Sequence, residues 1–233
     1  MDDRVAIVTA AGRGIGEAIA RRVTEDGFRP VLLSKSGAAV DVARDLGGVG
    51  FEGSVTDPDD LAALVEAATE RYGRIDAVVN NTGHPPTGDL LDIDDEDWHE
   101  GLDLVLLNVV RMARLVTPVM REQGGGAIVN VSTFSAFEPS AEFPVSSVLR
   151  AGLGSFTKLY ADRFAADGIR MNAVLPGFVD TYEVDRETRD RIPMGRPASR
   201  GEIADVVAFL LSSDASYLTG QNVRVDGGLT GSV

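Results

Sequence analysis

Cysteine is absent from the 233-residue chain, which excludes disulfides, thiolate nucleophiles and zinc sites built on thiolates. Basic side chains are scarce: 22 Lys and Arg stand against 36 Asp and Glu, which gives a net charge of −14. Duplex nucleic acid and anionic membranes are therefore poor partners. No apolar run reaches the roughly 20 residues that a membrane span needs, and the N-terminal MDDRVAIVTA has no signal-peptide pattern. We expect a cytoplasmic protein that binds neither nucleic acid nor membrane.

What the sequence does contain is an alternation of short, continuously apolar, β-branched runs with longer amphipathic stretches. Such runs are typical of a parallel sheet covered on both faces, and the alternation indicates right-handed βαβ units. The predicted strands are Val5–Thr9, Pro30–Ser34, Val49–Glu52, Ala77–Asn80, Ala127–Val131, Arg170–Val174 and Asn222–Val225. The predicted helices are Gly14–Asp26, Asp57–Tyr72, Trp98–Gln123, Ser146–Asp167 and Arg200–Ser212.

The loop TAAGRGIG, from Thr9 to Gly16, follows the first strand and opens directly into a helix. Free N–H groups at a helix N-terminus bind the pyrophosphate of a dinucleotide, and glycines let the backbone approach it closely. The strand–loop–helix context is the one that such a glycine motif requires. The loop therefore predicts a dinucleotide site, with a tight turn that binds no ligand as the alternative.

With Ala10 in place of its first glycine, this loop resembles the TGxxxGxG motif of the short-chain dehydrogenase/reductase family. Three further segments follow in the family's order: NNTG at 80–83 resembles NNAG, PGFVDT at 176–181 resembles PG-x-V-x-T, and YLTGQNVRVDGG at 217–228 matches the C-terminal strand and its lead-in. Among family members, the chain is most similar to the 3-oxoacyl-carrier-protein reductase type.

The resemblance implies an α/β fold: a single doubly wound Rossmann domain over residues 1–233, with a seven-stranded parallel sheet and helices on both faces. It implies hydride transfer between a nicotinamide cofactor and a carbonyl or alcohol, in a small molecule or an acyl thioester, by a homodimer or homotetramer. The residues that it places at the cofactor are Thr9, Gly12, Arg13, Gly14, Ile15, Gly16, Ser34, Lys35, Ser54, Val55, Asn80, Asn81, Thr82, Gly83, Val131, Arg150, Pro176, Gly177, Val179 and Thr181.

The residues after the second strand bear on which nicotinamide cofactor is used. An NAD-specific protein places an acid there against the ribose 2′-hydroxyl, whereas this chain has Ser34 and Lys35. A neutral serine does not repel a 2′-phosphate, and Lys35 and Arg13 would attract one. We expect NADP(H) in preference to NAD(H), with Lys35 as a merely solvated surface charge as the alternative. After the third strand, Ser54 and Val55 replace the family's Asp-Val adenine contact.

The catalytic positions depart from the family, whose tetrad is Asn, Ser, Tyr and Lys. RAGL at 150–153 matches the family's KAGL, which places Arg150 at the lysine and Ser146, four residues earlier, at the tyrosine. The family's spacing places Thr133 at the serine, with Ser132 and Ser135 as neighbouring choices. Val105 falls at the asparagine. No Tyr-x-x-x-Lys occurs anywhere in the chain.

A serine hydroxyl is a much weaker acid than a phenol, and a positioned proton-transfer group contributes roughly 10²–10⁴-fold to a rate. His84, directly after NNTG, and Tyr182, directly after Thr181, are the candidate substitutes, with a surface histidine and an apolar lid residue as their alternatives. Two functions stay open: an oxidoreductase with altered proton transfer, and a catalytically inactive cofactor-binding sensor or partner subunit. The acidic run LLDIDDEDW at 90–98 indicates a helix N-terminus, and we expect no metal.

Overall fold

The computed structural model of the protein describes residues 4–232 and contains one sheet of seven parallel strands in the order β3-β2-β1-β4-β5-β6-β7. The order reverses direction between β1 and β4, and such a switch point is where open α/β sheets bind ligands. The strands are β1 Val5–Thr9, β2 Arg29–Ser34, β3 Val49–Glu52, β4 Ala77–Asn80, β5 Gly126–Val131, β6 Ile169–Pro176 and β7 Asn222–Val225. The predicted parallel α/β architecture is confirmed.

Helices cover both faces of this sheet. The α-helices in residues 4–232 are α1 Gly14–Glu25, α2 Ala38–Asp45, α3 Pro58–Tyr72, α4 Asp95–Leu102, α5 Asn108–Glu122, α6 Pro144–Phe164, α7 Arg186–Arg191 and α8 Arg200–Leu211. None of the helices in this part of the chain is both long enough and apolar enough to cross a membrane.

Two buried layers explain why the strands are continuously apolar. Along β1, Ala6 and Val8 pack into the layer that includes α1 and α8, whereas Val5 and Ile7 pack into the layer that includes α3 and α5. Successive side chains of a strand point to opposite faces, so both faces of β1 are buried. The same reason accounts for the apolar runs of β4 and β5.

The predicted helix Trp98–Gln123 is in fact three segments. The helix starts earlier than predicted, because the Asp94 carboxylate accepts a hydrogen bond from the Asp97 N–H (2.9 Å) and caps α4. A π-helical turn, Asp103–Leu107, then separates α4 from α5. The Asn108 side-chain amide donates to the carbonyl of Leu104 within that turn. A π turn leaves carbonyls without their usual partners, and Asn108 satisfies one of them.

A buried chain of amides ties α6 to the sheet. The Asn80 amide donates to the Asn130 side-chain oxygen (2.9 Å), and the Asn130 amide donates to the Thr157 hydroxyl (3.0 Å). Thr157 in turn donates to the Leu153 carbonyl in α6 (2.9 Å). Because buried polar groups need partners, this chain fixes α6 against the carboxyl half of β4 and β5.

Candidate active site

The glycine loop after β1 has the shape that a pyrophosphate needs. Gly14 has φ +62°, and a Cβ at Gly12 would lie 2.8 Å from the Ser34 hydroxyl oxygen. Arg13, the N-cap of α1, makes no side-chain hydrogen bond to the first turn, so that turn's N–H groups are left for an anion. A Cβ at Gly16 would lie 2.2 Å from the Ala10 carbonyl oxygen, so glycine is required there for packing α1 against the loop. The residues present fit a dinucleotide.

Two exposed cations stand in segments that meet at Ser34: Arg13 follows Gly12 in this loop, and Lys35 follows the end of β2. Neither Arg13 nor Lys35 forms an ion pair with any residue in the described range 4–232. The buried Ser34 hydroxyl accepts a hydrogen bond from the Ala39 N–H (2.9 Å) at the start of α2. Glu52 lies close by, since a Cβ at Gly37 would be 2.9 Å from its carboxylate. The electrostatics here therefore combine two cations with one carboxylate.

The segment after β3 is also held firmly in place. The Asp60 carboxylate accepts from the Ser54 N–H (2.8 Å), and the Ser54 hydroxyl pairs with the hydroxyl of Thr56 (2.7 Å). Val55 is buried. Asp60 of α3 thus fixes the backbone of the turn in which serine stands in place of the family's aspartate.

Two loops bring the other predicted cofactor residues to the same edge of the sheet. The Thr9 hydroxyl donates to the Asn81 carbonyl (2.6 Å) and accepts from the Asn81 N–H (2.9 Å), which joins NNTG to the glycine loop. In the PGFVDT segment, a methyl of Thr181 lies 3.4 Å from where a Cβ at Gly14 would be. The Thr82 hydroxyl is buried and has no partner in residues 4–232, so a bound ligand is the natural acceptor for it.

Other members of these loops serve packing. Ile15 packs against the core, and Val179 is buried and bridges Ala198. Gly177 passes so close to β7 that a Cβ there would lie 2.9 Å from the Asp226 Cα. Pro176 ends β6 and is buried, whereas Gly83 is exposed.

Ser146 and Arg150 lie one turn apart near the start of α6, and both are buried. The Arg150 Nε donates to the Ser146 hydroxyl oxygen (3.2 Å), and Nη1 donates to the carbonyl of Val131 (2.8 Å), the last residue of β5. Burial lowers the pKa of Arg150 to about 10, because a charged group is costly to remove from water. The guanidinium therefore reaches the carboxyl end of the sheet from α6.

The remaining tetrad positions offer different chemistry. Thr133 is half-buried with extended backbone before the short 3₁₀ turn Phe134–Ala136. The neighbouring hydroxyls of Ser132 and Ser135 are buried and find no partner within residues 4–232. Val105 is buried inside the π turn and brings no polar side chain.

His84 and Tyr182 are brought together from two loops. Their ring centroids lie 6.3 Å apart in an edge-on arrangement. Burial lowers the pKa of His84, and the positive charge of Arg150 lowers it further, so that His84 is neutral at neutral pH. The loops after β4 and β6 therefore meet close enough to Arg150 for its charge to be felt.

A cavity of about 240 Å³ lies beside α6, with Arg150 and Gly154 on the helix, Phe137 after β5 and Asn222 in β7 among its lining residues. His84, Tyr182 and Thr181 do not line it. Sequence reasoning missed Phe137 and Asn222, because their places in this cavity arise from contacts between β7 and α6 that no local motif encodes.

This sheet order, with a glycine loop after β1 and a polar pair on α6 at the carboxyl edge, defines a Rossmann-type dinucleotide-binding protein. A sequence profile described as "Enoyl-(Acyl carrier protein) reductase" matches residues 9–230. The chain belongs to the short-chain dehydrogenase/reductase family of oxidoreductases.

Three relatives illustrate the range of the family. Cis-4-hydroxycyclohexanecarboxylate dehydrogenase of Sinomonas cyclohexanicum is 36% identical over 241 residues, covering 98% of this chain and 97% of the relative. The 3-oxoacyl-[acyl-carrier-protein] reductase FabG of Thermotoga maritima is 35% identical over 242 residues, covering 98% of both. The human dehydrogenase/reductase SDR family member 4 is 34% identical over 242 residues, covering 97% of this chain and 87% of the relative.

Proposed function

We propose that this protein is an NADP(H)-dependent oxidoreductase that interconverts a carbonyl and an alcohol, with Ser146 and Arg150 in place of the family's tyrosine and lysine. The observation that carries the proposal is a juxtaposition at one sheet edge. The uncapped N-terminus of α1 behind its glycine loop lies at the same edge as the buried Ser146–Arg150 pair. The first arrangement suits the cofactor and the second suits a polarised substrate oxygen.

In the reducing direction, the carbonyl carbon gains a hydride and the oxygen gains a proton, so that the C=O π bond is replaced by a C–H and an O–H bond. The cofactor, when bound, supplies the hydride, and it accepts one in the reverse direction. The hydroxyls of Ser146 and Thr133 would hold the substrate oxygen. The positive charge of Arg150 would stabilise negative charge that develops on that oxygen.

We propose that His84 exchanges the proton with the substrate oxygen. A neutral imidazole accepts a proton from an alcohol, which suits the oxidising direction. Its neutrality follows from burial and from the charge of Arg150. Tyr182, whose ring meets that of His84, is the second candidate.

The preference for NADP(H) rests on Arg13 and Lys35. Both are exposed and unpaired within the described residues, and both flank the position where the adenosine ribose would lie. A 2′-phosphate would provide the counter-charge that the protein itself does not.

Two features favour a second function, that of a cofactor-binding sensor or a non-catalytic partner subunit. Residue 105, at the tetrad's asparagine position, is a valine without a polar group. Residue 146, at the tyrosine position on α6, is a serine without a phenol. Such a protein would bind NADP(H) without turning over any substrate.

The test combines binding with turnover. Calorimetry would compare NADPH with NADH, and absorbance of the reduced nicotinamide would follow reaction with 3-oxoacyl thioesters and with 4-oxocyclohexanecarboxylate. We expect tighter binding of NADPH and measurable turnover of at least one class. Tight NADPH binding without any turnover would replace the enzyme by the sensor, and tighter NADH binding would refute the cofactor preference.

We also propose a homodimer or homotetramer. Helix α6 exposes Val148 and Leu159, which lie on one side of the helix together with Ala151 and Ser155. Light scattering of the purified protein would measure the oligomeric state, and a monomer at micromolar concentration would refute it.

A further inference from the structure

The segment 226–232, which follows β7, forms a compact turn held by its own hydrogen bonds. The Asp226 carboxylate accepts from the N–H groups of Gly228 (3.0 Å) and Thr230 (3.0 Å) and from the Thr230 hydroxyl (2.6 Å). A side-chain carboxylate that bonds to the backbone just after it fixes the local chain direction. The turn therefore determines where Gly231 and Ser232 lie.

Two charged side chains from different elements bind Ser232. Arg224 of β7 donates through Nη1 to the Ser232 carbonyl (2.5 Å) and to its hydroxyl (2.9 Å). Glu138, in the loop between β5 and α6, accepts from the Ser232 N–H (2.7 Å), although the two residues are 94 apart in sequence. Hydrogen bonds with an ionised partner are stronger than those between neutral groups. We call Glu138, Arg224 and Ser232 the Ser232 clamp.

Glu138 is ionised in this clamp. The hydrogen bond from the Ser232 N–H lowers the pKa of Glu138, and the Ser232 hydroxyl and the charge of Arg224 lower it further, although partial burial acts in the opposite direction. The negative charge that strengthens the bond to Ser232 is therefore present at neutral pH.

The clamp holds the middle of the loop 132–143, which carries the tetrad position Thr133. Glu138 follows Thr133 by five residues. The N–H groups of Phe137 and Glu138 both donate to the Phe134 carbonyl (3.0 and 3.2 Å), which joins Glu138 to the 3₁₀ turn directly after Thr133. A displacement of Glu138 is therefore passed to Thr133 through a single turn of chain.

Burial gives this part of the loop little support. Four of its residues are exposed: Phe137, Pro139, Ala141 and Glu142. The loop is also held on either side of Glu138, where the Phe134 ring packs against Phe178 (5.7 Å between centroids) and the Ser140 N–H donates to the Ser147 hydroxyl (3.2 Å). Segments with few buried contacts open at a low cost in free energy, so the bond at Glu138 has a large share in keeping the loop closed.

We propose that Glu138 and Ser232 are positioning residues of the active site, whose contact holds the loop 132–143 in the shape in which Thr133 binds the substrate oxygen. This inference rests on the proposed oxidoreductase function, in which Thr133 holds that oxygen. Neither residue touches the reacting atoms. When only a fraction of the molecules has the loop in its binding shape, the apparent affinity falls by that fraction. The clamp therefore acts on KM and leaves kcat nearly unchanged.

The alternative is a contact that only tethers the residues after β7. Because Glu138 and Ser232 lie at the surface, their contact contributes little to the stability of the fold. A simple tether would leave KM unchanged when it is broken, whereas a positioning contact would not.

The experiment breaks the contact from each side. Glu138→Ala removes the acceptor, and Ser232→Pro removes the N–H donor. With NADPH and the more active of a 3-oxoacyl thioester and 4-oxocyclohexanecarboxylate, we expect each variant to raise KM about fivefold and to keep kcat within about twofold. The dissociation constant of NADPH should not change.

The double variant Glu138→Ala/Ser232→Pro tests whether the two residues act as one contact. Its KM should be no higher than that of either single variant, because the second change removes nothing that the first has left. Glu138→Gln keeps an oxygen acceptor for the Ser232 N–H and should recover part of the affinity. Glu142→Ala, in the same loop, and Ser232→Ala, which keeps the N–H and the carbonyl, should have KM values near that of the wild-type protein.

Hydrogen exchange followed by mass spectrometry gives a readout that needs no turnover. Glu138→Ala and Ser232→Pro should speed exchange in the loop 132–143 by about threefold or more, and Glu142→Ala should not. Unchanged exchange in both clamp variants would overturn the proposal, whatever the turnover.

The kinetic outcomes separate the clamp from the proposed function. Faster exchange with an unchanged KM would make the contact a tether and would overturn the positioning role, as would additive effects in the double variant. Faster exchange in a protein whose wild-type form turns over neither compound would refute the oxidoreductase and support the clamp. If Glu138→Ala does not fold, Ser232→Pro and Glu138→Gln still decide.

Discussion

The Nε of Arg150 donates a hydrogen bond to the hydroxyl oxygen of Ser146, one turn earlier on α6. In a helix, residues four apart lie on one face, so the spacing that usually brings a phenol and an ammonium together here brings a hydroxyl and a guanidinium together. The hydroxyl accepts from Arg150 and keeps its own proton to donate. The pair therefore presents one hydrogen-bond donor and one positive charge to the same point.

Ser146→Ala tests whether that donor matters. We expect kcat to fall on the order of 10²-fold, the scale of one hydrogen-bond donor to the oxygen on which charge develops, while NADPH binding changes little. Ser147→Ala is the matched control, because the Ser147 hydroxyl accepts from the Ser140 N–H and faces a different loop. Equal loss in the two variants would indicate a general disturbance of α6.

The pH dependence should report His84. Because burial and the charge of Arg150 lower its pKa from 6.5, the imidazole is in its base form from neutral pH upward. Alcohol oxidation should therefore rise with pH in the acidic range and level off at lower pH than an ordinary imidazole would give, and His84→Gln should remove this rise. Arg150→Lys keeps the charge and should keep the rise near its place, whereas Arg150→Gln should move it to higher pH. If the rise of the oxidation rate with pH persists in His84→Gln, another group is responsible for it.

Ala10 is the one non-glycine residue with positive φ (+48°) among residues 4–232, and it stands where the family has glycine. A left-handed conformation costs an alanine about 1–2 kcal/mol, partly offset by the greater freedom of an unfolded glycine. Ala10→Gly should therefore raise the free energy of unfolding by about 0.5–1 kcal/mol, or roughly 2 °C in Tm. Ala11→Gly, at a buried position without positive φ, should act in the opposite direction. Thermal unfolding of both variants distinguishes strain relief from a general effect of glycine.

Asn130→Ala tests the amide chain that fixes α6. The variant leaves the Asn80 amide and the Thr157 hydroxyl without one partner each, and every unsatisfied buried group costs about 1–3 kcal/mol. We expect a loss of about 2–4 kcal/mol in denaturant unfolding. Thr157→Ser keeps the hydroxyl and should cost much less. Similar losses in the two variants would show that packing, not hydrogen bonding, dominates here.

Lys35→Gln and Arg13→Gln test the cofactor preference. Each should weaken NADPH binding by about fivefold to tenfold, corresponding to roughly 1–1.4 kcal/mol of a charge-assisted contact, and should leave NADH binding nearly unchanged. Arg44→Gln, an exposed arginine of α2 paired with Asp41, is the control. Glu52→Gln should act in the other direction, because it removes a negative charge beside the same position. Parallel changes for NADPH and NADH would place these cations elsewhere than at a 2′-phosphate.

The strands were predictable because both faces of the sheet are buried, which makes each strand a continuous apolar run. All seven occur within two residues of their predicted bounds, with β6 Ile169–Pro176 as the largest difference. Helices α2 and α7 were missed for a different reason. They have eight and six residues, too few turns for a helical period to stand out from the neighbouring loops.

The site was predictable where a motif fixes the backbone. It was unpredictable where it depends on contacts between residues that lie far apart in the sequence. The glycine loop, NNTG and PGFVDT meet at one edge because parallel strands end together. The bond from Arg150 to the Val131 carbonyl joins residues 19 apart, and only the packing of α6 on the sheet, chiefly on β6, makes it possible. The tetrad positions of Thr133, Ser146, Arg150 and Val105 stay predictions.

The π turn Asp103–Leu107 also sets how far α4 is rotated relative to α5 about the helix axis. Each residue added to a helix rotates the next part of that helix by about 100°, so the extra residue in this turn decides which sides of α4 and α5 face the protein. On α4, Gly101 packs so closely on α6 that a Cβ there would lie 2.4 Å from a methyl of Val145, the residue next to Ser146. Deleting a single residue from the turn would rotate α4 relative to α5 by about 100° and would break that contact. The length of the five-residue π turn thus determines which side of α4 packs against the start of the helix that carries Ser146 and Arg150.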